Sequence, residues 1–410
     1  MFDVEKIRQD FPMLTNRTMS NQPLIYFDNA ATTFKPYSVI KTVSDYYLYQ
    51  SANVHRGDYD LSYQVSDAYE KARQTVADFI NAQPKEVVFT SGASAALNLV
   101  AYGWGQKFLK PNDVILSTEA EHASNILPWF KAAEVTQATF EFIPLNEDGE
   151  ITIENFRKSM HSRVKVVTLA HITNVLGFVA PIKEITKIAH EYGAIVVVDA
   201  AQSVPHIATD VRDWDVDFLA FSAHKMIGPT GIGALFGKYH LLQETDPFML
   251  GGGSNARFDI CGNIQLKNPP YKFEVGTPAI EAVLGFKAAI DYLQSVGMEH
   301  IESYEKELRA YLIDNIKDMK HIQIYNVSAP TGIVTFNVHG IFAQDVAAYM
   351  NAFGIAVRAG NHCAKILLDM LKVSDTVRAS VYFYNTYQEV DHFVQVLQDV
   401  TLEKCVDLLF

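Results

Sequence analysis

Apolar runs of five to eight residues, each closed by a polar or small residue, recur through the first half of the chain: EVVFT (86–90), DVILST (113–118), VKVVTLAH (164–171), AIVVVDAA (194–201) and VDFLAFSA (216–223). Runs this uniformly apolar suit strands covered on both faces, which is the habit of parallel sheets. Helical spacing fills the intervals at 64–80, from Ala93 to Tyr102, around 123–134 and at 181–192. Alternation of this kind predicts an α/β fold with a mostly parallel sheet.

The two ends of the pattern differ from its middle. FDVEKIRQDFPM (2–13) predicts a short amphipathic helix ending near Pro12, and YFDNAATT (26–33) a short strand followed by an Asp-Asn pair and small residues. A long helix over roughly 278–297 stops at Gly297, and a charged amphipathic helix follows at 300–318. The strand GIVTFNV (332–338), a helix from about 343, the stretch AVRAG and a terminal helix from Tyr387 then read as an α+β unit. The expected organisation is an N-terminal arm (1–25) packing with the small domain, a large domain (26–285) and a small C-terminal α+β domain (286–410).

Charge and cysteine content narrow the function. With 34 basic and 47 acidic residues the net charge is −13, which argues against a protein that tracks nucleic-acid phosphates. No apolar run reaches the roughly 20 residues of a membrane-spanning helix. Asp3, Glu5 and Asp10 interrupt the N-terminus before a signal-peptide core can form, so no membrane partner and a cytoplasmic location are expected. Three cysteines, Cys261, Cys363 and Cys405, suit a reducing compartment, and no CxxC or spaced His/Cys set suggests a metal.

The candidate chemistry gathers where strands end. Asp199 closes AIVVV with Gln202 three residues on, and FSAHK closes the next strand with Ser222, His224 and Lys225. Carboxyl ends of strands are where open parallel sheets bind ligands. A lysine to carry the cofactor and a carboxylate to keep a pyridine nitrogen protonated are what pyridoxal phosphate (PLP) requires. Gly92, Ala93 and Ser94 open a helix after EVVFT, a place for its phosphate. Taken singly, the lysine would be a solvated side chain and the aspartate a helix cap. GPTGIG and the glycines at 251–253 lack the strand–turn–helix context of a dinucleotide fingerprint. The combination VDAAQ then FSAHKMIGPTGIG is far more specific than its parts.

That combination resembles the class V aminotransferase family, of fold-type I PLP enzymes, and within it the SufS-type (group II) cysteine desulfurases and selenocysteine lyases. The likeness extends through YFDNAAT (26–32), NVHRGDYDLS (53–62), EHASNILPW (121–129), ITNVLG (172–177), GTPA (276–279), RAGNHCA (358–364) and RASVYFYNT (378–386). By position the resemblance implies Lys225 as the cofactor lysine, Asp199 at the pyridine nitrogen, His122 stacked over the ring and Gln202 at its hydroxyl. It implies Ser94, Ser222 and His224 at the phosphate, and Thr277 reaching the phosphate site of a second subunit in a homodimer. Asn174, Arg378 and Asn29 are implied at the substrate, L-cysteine or L-selenocysteine, with Arg378 forking the carboxylate.

Cys363 lies in AVRAGNHCAK among Arg358, His362 and Lys365. Thiolate is the reactive form, and neighbouring cations favour it. A cysteine is more often a small buried hydrophobe, the reading that suits Cys261 and Cys405. The resemblance implies that Cys363 takes sulfur from cysteine as a persulfide, leaving alanine, with His122 shuttling protons. A sulfur-acceptor protein of the SufE or SufU type is the implied partner, for iron-sulfur cluster or other sulfur-transfer pathways. GASAAL (92–97) departs from the family's usual GTTEGI at Ala93 and Ala95, Asn361 stands where a second histidine is usual, and Gln344 where a histidine is frequent. Two alternatives stay open: a selenocysteine lyase or another class V PLP reaction, and a non-catalytic PLP-fold scaffold for sulfur relay.

Overall fold

A computed structural model describes residues 2–19 and 21–407. Its central sheet has seven strands, in the spatial order Val87–Thr90, Gly233–Gly237, Phe218–Ser222, Ile195–Asp199, Val164–Ala170, Val114–Thr118 and Thr139–Ile143. All run in one direction except Gly233–Gly237, which is antiparallel to both neighbours. The expected mostly parallel α/β sheet is therefore what forms.

The continuous apolar runs have a direct explanation. Successive strand side chains point to opposite faces, and here both faces are dry. Val196 and Val198 join one core with the helices Asp60–Phe79, Ile182–Glu191 and Ile280–Val296. Val197 and Val166 join the other, with Ala96, Leu97 and Trp129 from the helices Ala93–Leu99 and Ala123–Thr136. Burial of each such Val or Leu is worth about 1.5–3 kcal/mol, so the sheet is fixed by its two covered faces.

Two strands of this sheet escaped the sequence pattern. Thr139–Ile143 is a half-exposed outer strand whose apolar positions alternate. Gly233–Gly237 is bounded by glycines, which ordinarily weaken strands. At Gly233 the reason is contact: an added Cβ would lie 2.4 Å from the Phe221 carbonyl oxygen and 2.7 Å from the Gly92 Cα.

The C-terminal part is a smaller α+β lobe. Four antiparallel strands stand in the order Ile322–Ile324, Ile333–Val338, Thr376–Ser380, Arg358–Gly360. The helices Met298–Ile316, Ala343–Ala352 and Tyr387–Gln398 supply buried residues to the same core. The N-terminal helix is shorter than its pattern predicts, Val4–Arg8, and Pro12 instead begins a separate 3-10 turn, where its missing N–H costs nothing. Phe2 stacks on Tyr304 at 4.5 Å, and Arg8 pairs with Glu389 at 2.9 Å. Ile25 and Tyr26 then pair in parallel with Ile355 and Ala356.

Candidate active site

The carboxyl ends of the parallel strands open onto a cavity of about 230 Å³. Each strand that ends there delivers a side chain. Ser94 follows Val87–Thr90, His122 follows Val114–Thr118, and Asn174 follows Val164–Ala170. Asp199 and Gln202 end the next strand, and Ser222, His224 and Lys225 the one after. From the small lobe come Arg358, His362, Cys363 and Arg378, so part of the wall is built on a different sheet and the turn beside it.

Lys225 is partly open to the cavity as a side chain, but protein crowds its amine. That burial lowers its pKa to about 8, with Asp199 pulling the other way. Among the described residues its amine makes no hydrogen bond or contact ion pair. Asp199 is buried and accepts the Ala201 N–H at 3.0 Å. Gln202 donates to the Ala30 carbonyl at 2.7 Å, which leaves its buried Oε1 without a partner. His122 caps the helix Ala123–Thr136: its Nδ1 accepts the Ser124 N–H at 3.1 Å, so the neutral ring carries its proton on Nε2. Burial lowers the pKa of this imidazole, against the pull of Asp199.

At the far end, Gly92 (φ 146°) turns the chain into the helix Ala93–Leu99. Ser222 Oγ accepts the Ala93 N–H at 2.8 Å, and the Ser94 and Ser124 hydroxyls lie 2.6 Å apart. Helix N–H groups, serine hydroxyls and His224 there could hold an anion. His224 itself is held neutral, its pKa lowered to about 4 by burial, then by Lys225 and Lys35.

Arg378 donates to the Asn174 carbonyl at 2.8 Å and to Asp28 at 3.3 Å, while its buried Nε has no partner. Asn174 in turn donates to the His362 carbonyl at 2.9 Å, leaving its Oδ1 unbonded. Cys363 is exposed at the cavity edge. The cations beside it in sequence contribute less than the sequence implies, while Lys225 interacts with it in the cavity. His362 is buried and held neutral, its pKa lowered to about 3 chiefly by burial. Lys365 pairs with Asp369 one turn along its own helix. Arg358 remains, loosely paired with Asp28 at 4.0 Å.

Ten of the twelve residues singled out from sequence line this cavity: Lys225, Asp199, Gln202, His122, Ser94, Ser222, His224, Asn174, Arg378 and Cys363. Asn29 does not. Its amide donates to Tyr26, Ser380 and Asn385, and its oxygen accepts from the Tyr384 hydroxyl, so it fastens the N-terminal segment to the small lobe and its N–H donors are spent. Thr277 also lies outside, beside Asn53 at 3.4 Å. Sequence reasoning left Ser124 and Asp28 unassigned. Ser124 stands in the first turn of the helix that His122 caps, where a serine gives no signal of a ligand; Asp28 gave no local signal, because its arginine partners are more than 300 residues away.

The class-V aminotransferase family model matches residues 25–393. A protein named "Probable cysteine desulfurase" from Halalkalibacterium halodurans is 43% identical over 399 residues, which cover 97% of each chain. Its namesake from Synechocystis sp. is 44% identical over 397 residues, 96% of this chain and 94% of the relative. Among solved structures, the cysteine desulfurase CsdA (S-sulfonic acid) from Escherichia coli superposes with a TM-score of 0.91 at 32% identity, covering 100% of this chain and 99% of that one. The apo cysteine desulfurase from Thermococcus onnurineus NA1 gives 0.91 at 38% identity, with 96% and 97% covered.

Proposed function

We propose that this chain, which belongs to the class-V aminotransferase family, is a PLP-dependent cysteine desulfurase that converts L-cysteine to L-alanine and keeps the sulfur on Cys363. The observation that carries the reading is the convergence of an unpartnered lysine amine and an exposed thiol on one cavity.

The donor set fits the cofactor. Gln202 Oε1, buried and unbonded, is an acceptor for the ring hydroxyl. Asp199 would hold the proton of the pyridine nitrogen, and Ser94, Ser222 and His224 the phosphate. When bound, PLP supplies an electron sink for bond cleavage at the substrate Cα.

The protein's own groups do the rest. Lys225 would hold the cofactor, and its free amine would take the substrate Cα proton; an amine whose pKa lies near 8 is a competent base at neutral pH. His122, with its Nε2 proton facing away from the helix cap, relays protons between substrate and solvent. Arg378 offers its unbonded Nε and a fork of donors to the substrate carboxylate. The Cys363 thiolate attacks the substrate sulfur, an S–S bond forms as the C–S bond breaks, the electron pair left at Cβ takes a proton relayed by His122, and alanine departs. The exposed Cys363 then leaves its sulfur within reach of an acceptor protein of SufE or SufU type. Thr277, which lies outside its own cavity beside a 310 Å³ hollow formed partly by Arg56 and Gly276, suits a homodimer in which it serves the second subunit's site.

Mass spectrometry of the intact holoprotein after L-cysteine is added tests the reading. A gain of one sulfur, mapped to the Cys363 peptide and absent from Cys363→Ser, is expected. Alanine release undiminished in Cys363→Ser would refute it.

A further inference from the structure

The segment that carries Cys363 is held in a conformation its residues do not favour. Ala364 N–H bonds the Asn361 carbonyl at 2.8 Å, closing a β-turn whose two central residues, His362 (φ 50°) and Cys363 (φ 57°), are both left-handed. Turns with two such residues ordinarily place Asn, Asp or Gly there. Strained backbone of this kind persists only where the surroundings over-determine it.

Contacts from four residues do so. His362 Nε2 reaches Thr376 Oγ1 and the Thr376 carbonyl, each at 3.0 Å. The His362 carbonyl accepts from Asn174 at 2.9 Å, and the Cys363 carbonyl accepts from the Ala123 N–H at 2.8 Å. Those contacts come from distant segments. The fourth is local: Asn361 Oδ1 accepts the Cys363 N–H at 3.1 Å.

We infer that Asn361 is a positioning residue for the Cys363 thiol, and that its side-chain oxygen, by taking the Cys363 N–H, keeps the left-handed turn populated and the sulfur turned toward the cavity. The catalytic importance of this rests on the desulfurase reading; the placement itself does not. Asn361 is exposed, so its loss should leave the fold intact.

The test compares holoprotein of the parent, Asn361→Ala and Asn361→Asp. Asn361→Ala should slow sulfur gain on Cys363 by roughly tenfold to a hundredfold, the scale expected for an ångström of misplacement. Its Cys363 should react with iodoacetamide at a changed rate even without cysteine. The cofactor absorbance change on adding L-cysteine and the melting temperature should match the parent. Asn361→Asp, whose carboxylate accepts the same N–H, should restore both thiol rates. Parent-like labelling and sulfur gain in Asn361→Ala overturn the inference, as does an Asn361→Asp protein as slow as Asn361→Ala. A parent whose Cys363 labels but never gains sulfur defeats the desulfurase reading alone, and the labelling comparison still decides the role of Asn361.

Discussion

Two buried arginines, Arg73 and Arg378, receive opposite treatment. Arg73 lies in the helix Asp60–Phe79 with every nitrogen occupied: Glu70 at 3.0 Å, Glu274 at 2.8 Å and the Val87 carbonyl at 3.0 Å. Phe89 lies under its guanidinium at 4.8 Å. Burial alone would weaken this cation, but Glu274 and Glu70 outweigh it and its pKa stands above the usual value. Arg378 is equally buried, yet its Nε is unbonded and burial leaves its pKa below the usual value. Around it, Asn174 Oδ1 and Gln202 Oε1 are also unbonded. Where the chain supplies all partners, a buried charge is a fastener. Where it withholds them, the desolvation cost stays uncompensated until a ligand arrives.

The largest effect should come from the emptier region. Lys225→Ala should lower alanine formation by roughly 10³-fold or more and abolish the absorbance band of lysine-bound cofactor, with melting little changed. Next comes the filled region. Glu274→Gln strips Arg73 of its main partner and should cost about 3–5 kcal/mol in urea unfolding. Arg378→Met sharpens the contrast: the efficiency of alanine formation should fall about a hundredfold while stability changes by less than about 1 kcal/mol. If Arg378→Met proved as destabilising as Glu274→Gln, the distinction between the regions would collapse.

Histidines extend the comparison to pH. His171 and His362 are buried without a carboxylate, and burial lowers their pKa values to about 4 and about 3. The unfolded chain therefore binds more protons below pH 6.5. Their contribution is intact above that value and is lost as pH falls toward 4, at up to about 1.4 kcal/mol per pH unit for each histidine. His190 is the reverse case: its hydrogen bond to Asp217 at 2.8 Å raises its pKa. Its contribution is complete below 6.5 and disappears as pH rises through the raised value. Asp217, whose burial is outweighed by His190 and Lys238, contributes above its unfolded pKa and loses this as pH falls through its lowered one. Unfolding measured from pH 4 to 8 should show His362→Gln flattening the acid side and Asp217→Asn flattening the neutral side. Smallest of all, Lys158→Ala removes an exposed pair with Glu154 and should leave the melting temperature unmoved.

Much of the site was legible because apolar strands stop abruptly at chemistry-bearing residues. VDAAQ and FSAHK put Asp199, Gln202 and Lys225 at neighbouring strand ends, which the sheet then brings side by side. Burial and distant pairing were not legible. His362 reads as a cation beside Cys363 until the fold buries it. Asn29 sits in a motif that invites a substrate role, but its partners Ser380 and Asn385 lie beyond any local pattern. The Lys365–Asp369 pairing could have been found, since a four-residue spacing on a helix announces it. The strand Gly233–Gly237 was hidden because its glycines answer to a neighbour's backbone rather than to strand propensity.

The pairing of Ile25 with Ile355 sets a timetable for synthesis. Its second half is translated 330 residues after the first, a delay of roughly 17 to 66 seconds at 5–20 residues per second. Over the last 130 residues of that interval the nascent chain already holds Lys225, while the wall bearing Arg378 and Cys363 does not yet exist. The complete cavity thus waits until the last part of the polypeptide has emerged, and a ribosome stalled before that point carries Lys225 without the small-lobe side chains that share its cavity.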